Sequence, residues 1–202
     1  EEAQAALDAD PDQPERHLHL AIAQIQAERF AQAEATLDAA IDRFPDRDDL
    51  KRTLIQQLFQ QRAHGRAGTR LKAWAEERDA PDWTSLQLNR ARIESNMLDA
   101  AERSLDALAE TDLAEDPSYP VLRAKVLINR AQAEEAVAIL EAAVERFPGN
   151  AEARQLLAHT LVSLGRTEEA NAYQDTGAQL HPMAVVQQVE SQGNEADDDE
   201  IA

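Results

Sequence analysis

Five histidines and 39 carboxylates are the side chains of this 202-residue sequence that could shuttle protons or hold a metal ion. His17 and His19 lie two apart, so a helix would point them to different faces. His64, His159 and His181 are isolated in sequence. The absence of cysteine removes thiolate ligands, disulfides and a cysteine nucleophile. No HExxH, no GxSxG and no glycine-rich phosphate loop occurs, and the 6 glycines are scattered. The carboxylates need no acid–base role, because charged, solvated helix faces account for them. These residues predict no enzyme and no cofactor, and a histidine metal site would require tertiary proximity alone. The remaining chemistry is that of binding, and composition narrows its partners.

The formal net charge is −19, with 20 basic residues. Nucleic acid and anionic membranes are bound through clustered Lys and Arg, so this balance predicts neither as a partner. No apolar run approaches the ~20 residues that span a bilayer. The segment from Glu190 to Ala202 holds Glu190, Glu195, Asp197, Asp198, Asp199 and Glu200 without one basic residue. Such a run is a recognition element, a shield for basic residues elsewhere in the chain, or a solubilising segment. The 17 Arg against 3 Lys point to a GC-rich bacterial genome. Lack of cysteine suits bacterial periplasm and cytoplasm alike, which leaves the compartment open.

The elements that would position a binding surface are helices. Hydrophobic residues reach 43% with only 4% aromatics, so the apolar share is mostly Ala and Leu, which favour helices and let them approach closely. An internal repeat organises them. The stretch from Ala33 to Pro45 (AEATLDAAIDRFP) matches that from Ala136 to Pro148 (AVAILEAAVERFP) at most positions. Their offset is three periods of 34 residues plus one inserted residue. Pro11 and Pro45 are one period apart, and so are Pro148 and Pro182. Asp116, Asn150 and Thr167 read as helix N-caps, with Pro117 at a first helical position.

This pattern resembles the tetratricopeptide repeat, with small residues at positions 8 and 20 and proline at 32. The resemblance implies an all-α fold, an α-solenoid (right-handed superhelix) of about five helix–turn–helix repeats. They would span 14–47, 48–81, 82–116, 117–150 and 151–184, preceded by 1–13 as the second helix of a truncated repeat. Residues 185–202 would be a capping extension and acidic disordered tail, the helix continuing over Met183–Val189. Since the partner helix of residues 1–13 is missing, the chain reads as a C-terminal piece of a longer protein. Position 8 is Ile55 and Asn89 in the second and third repeats, so packing is expected to be looser there.

In this family the first helices face a concave groove, which implies that positions 2, 5, 9, 12 and 13 line it. Position 5 gives Leu18, Arg52, Leu86 and Val121; position 9 gives Ile22, Gln56, Arg90, Lys125 and His159. Position 12 gives Ile25, Phe59, Ile93, Ile128 and Val162, all apolar. These side chains predict a hydrophobic floor with a short basic stripe, suited to a peptide with acidic groups or a free carboxylate. The plainer alternative is that position 12 packs on the adjacent helix and the basic residues offset acidic neighbours. Ile22 stands where chaperone-binding relatives carry Asn, so their carboxylate clamp is not matched. Trp74 and Trp83 form another candidate surface, or else fill gaps between degenerate repeats.

The function implied is a protein–protein interaction scaffold or adaptor, in bacterial envelope assembly, secretion or maturation. The alternatives are a self-assembly module, with a homo-oligomer formed through the N-terminal edge, and a recruiting domain on an upstream enzyme. The register itself is testable: Ala170→Leu should overpack a tight helix contact and cost ~1–3 kcal/mol in thermal or urea unfolding. Unchanged stability would show the last repeat to be misaligned.

Overall fold

The computed structural model describes residues 2–77 and 80–179, and every regular element among them is helical. The expected capping helix over Met183–Val189 and the acidic tail lie outside the described residues. The chain forms two compact units, the first running through Ser95 and the second starting at Asn96.

The first unit holds α1 (Glu2–Ala9), α2 (Pro14–Gln26), α3 (Phe30–Arg43), α4 (Asp48–Gln60), α5 (His64–Ala75) and α6 (Asp82–Glu94). Each helix packs on the next in sequence. No residue of α1 is buried. The second unit holds α7 (Leu98–Leu108), a 3-10 turn (Asp112–Glu115), α8 (Ser118–Asn129), α9 (Ala133–Arg146), α10 (Ala151–Ser163) and α11 (Thr167–Gln179). Its helices also pack in sequence order, and α8 additionally touches α10.

Leucines fill each core and alanines set the distance between helices. Leu37, Leu50, Leu54, Leu58 and Leu71 are fully buried in the first unit, as are Leu140, Leu157 and Leu161 in the second. Ala21, Ala33, Ala67, Ala124, Ala136, Ala158 and Ala170 expose 3% or less, where a bare methyl lets backbones come close. Ile55 and Asn89, which stand in place of the small residue, are nonetheless buried, exposing 3% and 0%. Asn89 is tolerated there because both ends of its amide are used. Its Nδ2 donates to the Ser85 carbonyl at 3.0 Å, and its Oδ1 accepts from Arg92 Nη1 at 3.2 Å.

One residue per turn reverses the chain. Glu28, Arg62, Asn96, Ala131 and Gly165 all take a positive φ of 55–78°, each just past a first helix. The next amide then reaches back to close the helix end: Arg29 N to Gln24 O, Ala63 N to Leu58 O, Gln132 N to Leu127 O, and Arg166 N to Leu161 O, at 2.8–2.9 Å. These five residues keep the 34-residue spacing except between Asn96 and Ala131, which stand 35 apart. The inserted residue therefore falls between them, a stretch that also contains the 3-10 turn.

Helix starts follow local chemistry. Asp116 Oδ1 accepts from Ser118 N at 2.7 Å, with Pro117 needing no donor partner, and Asn150 Oδ1 accepts from Ala153 N at 3.0 Å. Thr167 does not cap: α11 already includes it, and Ala170 N bonds to the Arg166 carbonyl instead. Arginines then tie successive repeats together by reaching a carboxylate about one period earlier. Arg47 Nη1 meets Glu15 at 2.7 Å, Arg70 meets Asp38 at 2.6 Å, Arg130 meets Asp99 at 2.7 Å and Arg166 meets Glu134 at 3.0 Å. Arg47 also grips Asp49 through two bonds, which holds that carboxyl below its ordinary range.

The left-handed turn yields a paired prediction. Ala131→Gly should stabilise by ~0.5–1 kcal/mol, and Gly165→Ala, at φ 78° with open space around it, should cost ~1 kcal/mol. Urea midpoints moving in opposite directions would verify both.

Candidate partner-binding site

Within the first unit, α4 and α6 enclose a cleft of about 640 Å³ lined by Arg52, Ile55, Gln56, Phe59, Gln60, Trp83, Gln87 and Arg90. The helical period explains the lining. Arg52, Gln56, Phe59 and Gln60 recur at three- and four-residue steps and so share one face of α4; Trp83, Gln87 and Arg90 do the same on α6. Ile55, only 3% exposed, closes the floor where the cleft meets the core.

Two cations stand on two rings. The Arg52 guanidinium lies 4.3 Å from the Trp83 ring centre, and that of Arg90 lies 5.5 Å from Phe59. Stacking of this kind holds the planar fork in one orientation. Trp83 is itself fixed, its indole N–H donating to Asp48 Oδ2 at 3.0 Å. Three glutamine amides add neutral groups that both donate and accept. Among the described residues, no lining residue is acidic, in a chain of net charge −19. The site can thus hold an anionic group beside an apolar one.

The structure distributes the fourteen expected groove residues unevenly. Arg52, Gln56, Phe59 and Arg90 meet in the cleft. On α2, Ile22 is 39% exposed while Leu18 and Ile25 are half-buried. Leu86 and Ile93 expose 5% each and Val121 exposes 1%, so they are core residues that offer a partner almost no surface. In the second unit, Lys125 Nζ pairs with Glu152 Oε1 at 2.7 Å, so its charge is offset locally. Ile128 is half-buried, and His159 and Val162 are exposed. Of the expected basic residues, Arg52 and Arg90 are the two that meet in the cleft.

The two tryptophans part company. Trp74 is 8% exposed in the first core, under the ammonium of Lys51 at 5.5 Å, and is no partner anchor. Trp83 is half-buried at the cleft wall. It occupies position 2 of its repeat and Gln60 occupies position 13, so both stand at groove positions; Trp83 was named from sequence as a separate candidate surface, and Gln60 was not named. Gln87, at position 6, carried no such signal. Among the described residues no cluster of His, Asp and Glu could hold a metal ion.

Comparison with known proteins places this geometry in a wider set. A tetratricopeptide repeat family model matches residues 1–58 and 127–192. An uncharacterized protein of Aquifex aeolicus is 32% identical over the whole chain, which spans 28% of that relative's length. A thermophilic TPR protein of Thermus thermophilus superposes with a TM-score of 0.68 at 17% identity, covering 90% of this chain and 98% of that one. YrrB, described as a TPR protein with an unusual peptide-binding site, superposes with a TM-score of 0.52 at 15% identity, covering 94% of this chain and 98% of the other.

The unequal environments of the tryptophans give a stability test. Trp74→Ala should cost ~3–5 kcal/mol, as a large buried side chain does. Trp83→Ala should cost about 1–2 kcal/mol, losing one hydrogen bond and part of a ring contact. Equal urea-midpoint shifts would contradict this assignment of one ring to the core and the other to the cleft.

Proposed function

We propose that this chain, which belongs to the tetratricopeptide repeat family, holds a partner protein by an acidic, partly apolar segment laid into the cleft between α4 and α6. The fold is in general a scaffold for protein–protein interaction. The observation that carries the finer reading is the cleft itself, a pocket with no carboxylate among its described lining residues on a strongly acidic chain. A partner carboxylate would take the edge donors of Arg52 and Arg90, the fork geometry matching the two oxygens of the anion. An apolar side chain beside it would lie on Phe59 and Ile55. Gln56, Gln60 and Gln87 would meet the main chain of the segment, each amide serving either a carbonyl or an N–H. The peptide-binding site named for YrrB supports the idea that this fold can hold a peptide.

The chain would act as an adaptor, and a role in bacterial envelope assembly, secretion or maturation is the setting we favour. A recruiting module within a longer protein is the second reading, favoured by the length of the Aquifex relative, of which the chain spans 28%.

An array of synthetic decapeptides with acidic, neutral and basic sequences separates these ideas from non-specific adhesion. Wild type should retain acidic-apolar peptides, with affinity falling as salt rises from 50 to 300 mM. The Arg52→Glu, Arg90→Glu double variant should lose them by about 10- to 100-fold, the loss expected for one or two charge-assisted contacts, while keeping the wild-type helical signal. Retention of the same peptides by both proteins would reject the cleft as the site.

A further inference from the structure

One indole stands between two opposite charges on α4. Asp48 and Arg52 are four residues apart on that helix, so they are neighbours on one face. Their order, acid before base, is the one that favours a helical ion pair. Yet Asp48 Oδ2 accepts from Trp83 Nε1 at 3.0 Å, and the Arg52 guanidinium lies 4.3 Å from the centre of the same ring. Among the described residues no ion pair engages Arg52. We propose that Trp83 is a positioning residue for partner binding: by holding the Asp48 carboxylate, it keeps Arg52 open to a carboxylate of the partner. This inference rests on the proposed function, because it requires the cleft to receive an acidic segment.

The surroundings of Asp48 sharpen the point. Arg47, next to it in sequence, is committed to Asp49 through two hydrogen bonds and to Glu15 through a third. Lys51 is buried, and its Nζ lies 3.5 Å from Glu77 Oε2. Arg52 is thus the cation of α4 that Asp48 would take if the indole released it. The arrangement is also particular to this pair of repeats. One repeat earlier the three corresponding positions hold Pro14, Leu18 and Asp49, which supply neither the charge pair nor the ring.

The size of the effect follows from the strength of the contact that Trp83 prevents. A helical pair at this spacing is favoured about twofold over its separated state. With Arg52 paired for about two thirds of the time, a ligand carboxylate would bind about threefold more weakly.

The test uses the full chain and a fluorescein-labelled decapeptide of alternating Glu and Leu, with anisotropy at low salt as the readout. Wild type is compared with Trp83→Phe, Asp48→Asn and the double variant that carries both changes. Phenylalanine keeps an aromatic face for Arg52 but has no N–H, and asparagine keeps an acceptor for the indole but has no charge. We expect Trp83→Phe to bind the probe about threefold more weakly, and Asp48→Asn and the double variant to stay within about twofold of wild type. Asp48→Asn would then restore binding in the Trp83→Phe background while changing little in the wild-type one. Unchanged binding by Trp83→Phe would overturn the inference. So would a loss that Asp48→Asn does not restore, which would leave Trp83 as a wall of the cleft and nothing more. In both cases the cleft would stand as an acidic-peptide site. Absence of binding by wild type, or binding that Arg52→Glu leaves unchanged, would remove the cleft reading itself, and the inference with it.

Discussion

A helical repeat can stack only if each turn returns the chain at the same angle and the same place. Here that constraint falls on one residue per turn, held in the left-handed region at Glu28, Arg62, Asn96, Ala131 and Gly165. Only the last is glycine. At Glu28, Arg62 and Ala131 backbone hydrogen bonds across the helix end offset the unfavourable conformation. Once the reversal is fixed, α-carbon positions along the facing helices are fixed too. Alanine is then required where they cross closely, and leucine where a gap remains. The single inserted residue falls away from these positions, in the stretch that includes the 3-10 turn.

Fold was readable from the sequence because its signals are local and repeated. Prolines one period apart, alanines at fixed places and N-caps such as Asn150 each depend on a few neighbouring residues. The site was only partly readable, because exposure depends on how many apolar side chains the core absorbs. Leu86, Ile93 and Val121 follow the groove pattern but are taken into the interior. Lys125 follows the charge pattern but finds Glu152, a partner 27 residues away that no local rule would pair with it. Trp83 shows the converse: its position marked the groove, while the pairing of its ring with Arg52 came from packing of α6 beside α4.

Electrostatics divides the surface into two regimes. Along each unit, several arginines are matched with a carboxylate about one repeat earlier, with side chains about a third exposed or more, where each pair adds little by itself. Their value is in register, because an arginine that fits a carboxylate one period earlier disfavours slippage of one repeat against the next. In the cleft, Arg52 and Arg90 also rest on aromatic faces.

The separation of the hydrophobic interior into two clusters, each made by helices adjacent in sequence, has a kinetic meaning. Contacts between near neighbours close short loops, so the entropy lost before the first favourable contacts form is small and folding is fast. Nucleation is open to either cluster, and neither must wait for a distant strand or helix to arrive. The same locality lets segments fray and re-form without global unfolding, so amide exchange should grade along the chain, slowest where Leu54 and Leu157 sit and fastest towards α1.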